Sequence, residues 1–205
     1  MKQILILSAL AASLAFALAC SSSPETTTTN RATNANTTAA NTSTTNAANT
    51  TKADDTPAAV KAVFPDAQSF TTQHKDIPAD KIASIEKDTS SKVPDKDHHS
   101  YLAFSTTGGA RKQIGAATIV KVDGKDVVVV YDNKDGSPVI KEIRADGVPA
   151  PFLAQFAGKG HDDDLLLGAD IKASGANEAQ AKAITEAVRV DVLTMQALYG
   201  SAHTH

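Results

Sequence analysis

The sequence predicts an α+β domain: an antiparallel, meander-like sheet with flanking helices, preceded by a disordered tether. Three observations carry that reading. Asp123-Gly124 and Asp135-Gly136 each stand between runs rich in β-branched residues, and an Asp-Gly pair in that setting is the strongest short-range signal for a hairpin. Ile184, Val188, Val192, Met195 and Tyr199 follow one another at spacings of three and four, the apolar stripe of a long helix. Residues 21–55 are almost wholly Thr, Ala, Asn and Ser, without one Val, Ile, Leu, Phe or Tyr. Such a segment buries too little apolar surface to offset its conformational entropy.

From about Thr56 to the end the composition is that of one domain of ordinary size. Val60, Val63 and Phe64 sit at helical spacing and predict a short opening helix closed by Pro65. Residues 79–87 ("ADKIASIEK") predict a second, with Ile82, Ile85 and Glu86 one turn apart. Residues 101–105 alternate weakly as a strand. Residues 113–122 and 125–131 are stronger strands on either side of Asp123-Gly124, and Asp135-Gly136 turns the second of them into residues 139–144. Three or four consecutive antiparallel strands are expected. In "PFLAQFAGKG", Phe152, Leu153 and Phe156 make one apolar face of a short helix ended by Gly158. The last helix is expected over residues 178–199.

The N-terminus points to export. Lys2 precedes an apolar run over residues 4–18, which is too short to span a bilayer as a stable helix. It ends in Ala17-Leu18-Ala19-Cys20, which resembles the lipobox of bacterial lipoproteins, proteins cleaved before the Cys and acylated on it. That resemblance implies a signal peptide over residues 1–19, a lipid on Cys20 as the membrane partner, and a cell-envelope location facing the periplasm or cell exterior. Cys20 is the only Cys, so no disulfide and no thiolate metal site is expected in the domain. The formal net charge of −3, without a basic stripe, argues against nucleic acid as a partner.

With these elements placed, the chain resembles the FMN-binding domain family, the module of flavin-carrying periplasmic subunits of sodium- and electron-translocating redox complexes and of many exported lipoproteins. The likeness covers about residues 60–193 and is carried by "VFPDAQSF", "GSPVIKEIRADG", "PFLAQFAGK" and "LLLGADIKASGAN…AITEAVR" in the family's order. In that family a Thr after Ser-Gly-Ala accepts FMN through a phosphoester. Here the position is Asn177, whose carboxamide has no hydroxyl to esterify. The run from Asp170 to Ser174 is one residue shorter than usual, and a characteristic loop is reduced to "RADGVPAP". What the resemblance implies is therefore FMN held without a covalent bond, with electrons passed to envelope redox proteins. Ser174, Gly175, Ala176 and Asn177 would offer backbone N–H groups to the phosphate at the helix N-terminus, and Lys159 a cation. Phe152, Phe156 and Tyr101 would wall the flavin ring.

Local chemistry offers a second reading of the same residues. Asn177 is among the best N-caps, Glu178 suits the positive end of the helix dipole and would repel a phosphate, and Phe152, Leu153 and Phe156 suit a core. On that reading the domain is a flavin-free binding or structural module of the envelope. "KGHDDDLLL" places His161 beside Asp162, Asp163 and Asp164, but adjacent side chains diverge and a solvated loop is expected. His98-His99 and the terminal His203 and His205 likewise lack a metal-site spacing on a defined element. No catalytic constellation is expected.

Overall fold

Two-residue turns set the architecture. In a computed structural model of the chain, which describes residues 55–201, Asp123 and Gly124 have φ +50° and +76°, and Asp135 and Gly136 have φ +53° and +85°. Positive φ at both central positions is the type I′ geometry whose twist matches that of paired strands. Asn133 secures the second turn by accepting from the Gly136 N–H at 3.0 Å. Residues 1–54 and 202–205, and with them the signal peptide, Cys20, nearly all of the expected tether, His203 and His205, lie outside the described residues.

The element order is α1 (Ala58–Val63), β1 (Ser69–Asp76), α2 (Ala79–Thr89), β2 (Asp97–Ser105), β3 (Lys112–Val122), β4 (Lys125–Lys134), β5 (Ser137–Ala145), α3 (Ala150–Leu153) and α4 (Glu178–Tyr199). The five strands form one antiparallel sheet in the order β1-β2-β3-β4-β5, an α+β meander. The sheet therefore has five strands rather than three or four. β1, "SFTTQHKD", went unseen because its pattern is polar, and β2 begins at Asp97 rather than 101 for the same reason. Pairing over eight positions, from Ser69↔Phe104 to Asp76↔Asp97, supplies what hydrophobic alternation does not.

The sheet is covered on both faces, and β4 shows it: Val127 to Tyr131 are buried without alternation. On one face Val127, Val129, Tyr131 and Ile140 meet Phe152, Phe156 and the α4 stripe of Ile184, Val188, Val192 and Met195. On the other, Val128 and Val130 meet Val60, Val63 and Phe64 of α1 and its end. Each such side chain, fully buried, contributes about 1.5–3 kcal/mol. Gly115 on β3 is a glycine because α1 comes close: a Cβ there would lie 2.6 Å from the Phe64 ring. Register shifts in the β2–β3 and β4–β5 pairs leave Ile114 and Lys141 as extra residues, bulges that bend the sheet. No helix among the described residues is long and apolar enough to cross a membrane.

Candidate functional site

The loop before α4 is built from its own side chains. Ser174 (φ +45°) and Gly175 (φ +88°) are the central pair of a turn closed by Ala176 N–H donating to Ala173 O at 2.8 Å. The glycine's freedom is used by that turn. Asn177 is the N-cap: its Oδ1 accepts from Ala179 N at 3.0 Å and Gln180 N at 3.3 Å, and its carbonyl accepts from Ala181 N at 2.8 Å. Two of the amides a helix start otherwise leaves free, those of Ala179 and Gln180, are thus engaged by Asn177, and a phosphate bound there would have to displace the cap.

Gln155 ties this loop to the segment after α3. Its Oε1 accepts from Lys172 N at 2.9 Å, while Nε2 donates to Lys172 O at 2.8 Å and Ser174 Oγ at 3.0 Å. Ser174 is thereby fixed toward Gln155. The segment itself, a short 3-10 turn (Ala154–Phe156) and its exit, is hydrogen-bonded to β5 through Ile140 N to Lys159 O and Gly158 N to Ile140 O, each 2.8 Å. Lys159 directs its Nζ to Asp163 Oδ1 at 3.3 Å. Phe152 and Phe156, stacked edge-on with centroids 5.5 Å apart, are both 0% exposed, so neither has a face open to a ligand. Tyr101 lies on the opposite side of the sheet, half-buried beside the α1 cluster. The aromatic residues expected to wall a flavin are thus not brought together: the sheet stands between Tyr101 and the two phenylalanines.

Two recesses lie elsewhere. One, of about 510 Å³, opens over the sheet beside the C-terminal half of α4, with Gln73, Ser100, Leu102, Tyr131, Met195 and Tyr199 in its lining. Tyr131 connects it to a buried carboxylate, Asp191 of α4, which is 5% exposed. Asp191 Oδ2 accepts from Tyr131 OH at 2.7 Å and Thr118 Oγ1 at 2.5 Å, and Oδ1 lies 3.1 Å from His98 Nε2. Burial first, then the charge of and bond to Asp191, push the Tyr131 phenol well above its ordinary range. His98 Nδ1 is buried without a partner among the described residues. The second recess, about 330 Å³, is more polar and takes in Asp88, His161, Asp164 and Arg189. There Asp163 accepts from Gly160 N at 2.9 Å and His161 pairs with Asp162 at 3.1 Å.

His98 and His99 part company on β2, His98 turning inward to Asp191 and His99 outward. His99 Nε2 lies 2.9 Å from Asp97 Oδ2, and the same oxygen lies 3.3 Å from Nδ1 of His74 on β1. The hydrogen bond from His99, and to a smaller extent that from His74, holds the Asp97 carboxyl below its ordinary value. Contrary to the expectation that these histidines lack a defined setting, His99 stands on a strand in register with His74. Sequence reasoning missed His74, Asp97, Tyr131 and Asp191. The spacing His74-x-Asp76 and Asp97-x-His99 was the available signal for the first two, since alternate strand residues share a face. No family model, curated protein or solved structure matches the chain.

Proposed function

We propose that this chain is a lipid-anchored protein of the bacterial cell envelope, tethered through Cys20, whose domain is a flavin-free binding module. The observation that carries the flavin-free reading is the engaged helix start: Asn177 Oδ1 receives the Ala179 and Gln180 amides, and the Ala173 carbonyl receives that of Ala176, one of the four amides expected to meet a phosphate. The buried state of Phe152 and Phe156 supports it further. The recess beside Tyr131 and Tyr199 combines apolar walls with a few convergent polar groups, the usual make-up of a small-molecule site. The protein's part would be to hold such a ligand outside the membrane.

The second reading is FMN held without a bond, with electrons passed to envelope redox proteins. It is favoured by the left-handed Ser174-Gly175 turn directly ahead of α4, a conformation that lets backbone approach a ligand closely. One experiment separates the two. The full chain is produced in the cell envelope together with a flavin transferase, purified in detergent, and its visible spectrum and intact mass are taken before and after denaturation and filtration. The flavin-free reading expects a colourless protein that ignores micromolar FMN. Yellow colour lost to the filtrate overturns it in favour of the second. Colour retained with the mass of one FMN overturns both and makes Ser174 the first acceptor to test.

A further inference from the structure

The geometry points to a divalent transition-metal site on the outward face of the β1–β2 edge, with His74, Asp97 and His99 as ligands and zinc as the cation it fits first. The argument begins with register. His74 pairs with His99 and Asp76 pairs with Asp97, and directly opposed residues project from the same face of an antiparallel pair. His74-x-Asp76 on one strand and Asp97-x-His99 on the other therefore make a two-by-two block of imidazoles and carboxylates.

Two properties of the block favour a cation. Asp76 and Asp97 stand directly opposite each other, an arrangement that is unfavourable between like charges unless something positive lies between or beside them. The donor atoms also sit close together without rearrangement. His74 Nδ1, His99 Nε2 and Asp97 Oδ2 lie within 4.8 Å of one another, with the two nitrogens 3.3 and 2.9 Å from the carboxylate oxygen. Zinc bonds to N and O of about 2.0–2.2 Å place neighbouring tetrahedral ligand atoms about 3.3 Å apart, within a few tenths of an ångström of the two nitrogen-to-carboxylate separations, and the two nitrogens are already within 4.8 Å of each other. It is the one group of three or more such ligands among the described residues.

Two imidazoles and one carboxylate suit zinc or copper rather than calcium or magnesium, which take all-oxygen shells. Asp76, exposed on the same face, is placed to serve as a fourth ligand or to accept from a metal-bound water. Because the donors are partly exposed, with His74 and His99 side chains 30% and 47% accessible, the cation would exchange with solvent. The block suits uptake and release better than a permanent structural role.

The test uses the full chain in detergent, stripped of metal, with His203→Ala and His205→Ala as the parent so that terminal histidines do not contribute. Calorimetric titration with Zn²⁺ is expected to give one ion per chain at micromolar affinity or better. His74→Gln and His99→Gln should each weaken binding by about tenfold or more, with the metal-free melting temperature unchanged. A parent that takes up no zinc, or variants that titrate like the parent, would overturn the assignment. In the otherwise unmutated parent, Co²⁺ should broaden the ring-proton resonances of His74 and His99 and spare those of His161. Broadening that instead centres on His161 would equally sink it.

Discussion

At Asp191 three strands meet one side chain: His98 of β2, Thr118 of β3 and Tyr131 of β4 all address its carboxylate. Asp191→Ala leaves those buried groups without their partner, and a loss of about 2–4 kcal/mol is expected, read as a lower urea midpoint at unchanged slope. Tyr131→Phe removes one donor and should lower stability by about 1–2 kcal/mol. The difference between wild type and Tyr131→Phe also carries a pH signature. The folded phenol is raised above its ordinary value near 10, so its contribution is whole below that pH and is lost as pH rises toward the folded value. The two proteins should therefore converge in stability in alkaline solution and stay apart at neutral pH. Asn177→Ala should cost about 1 kcal/mol, the usual value of an N-cap. That cap was legible in the sequence because its partners are two and three residues away. Asp191 was not, because "VRVDVL" gives no sign that its one carboxylate faces three strands.

Among the elements, legibility follows the same division. α4 and the two Asp-Gly hairpins could be read directly, since a helical stripe and a type I′ turn are local matters. β1 could not, because its burial is partial along most of its length and its pairing partner comes only after α2. What β1 does for its neighbours is also non-local. Lys75 donates to Leu198 O at 2.8 Å, and its Nζ lies 4.2 Å from the centre of the Tyr199 ring. The last turn of α4 has no basic residue of its own, so the edge strand supplies the cation that the negative end of the helix favours. Gln155 plays the matching part at the other end of α4, where a side-chain amide braces the loop ahead of the cap. Gln155→Ala should lower stability by about 1–2 kcal/mol and speed amide exchange of Lys172. Gly115→Ala would press a methyl into the Phe64 ring and should destabilise the seat of α1 by about 1–3 kcal/mol, measured by thermal unfolding.

For the whole molecule, the fold class could be read from patterning, whereas the clustering of titratable groups depended on register that no pattern discloses. The meander joins each strand only to its neighbours in sequence, so the sheet needs few long loop closures to assemble. α4, in contrast, packs on β3, β5 and α2 from the far end of the chain. A chain cut after Ala176 should retain the strands but expose Val127, Val129 and Ile140, which would appear as dye binding and self-association. Time enters here. In a chain delivered N-terminus first, the five strands arrive before α4, so until the remaining segment follows, one apolar face of the sheet has nothing to cover it. The order of the elements thus fixes when in its life the protein is most exposed to aggregation, and makes the arrival of its last helix the step that ends the hazard.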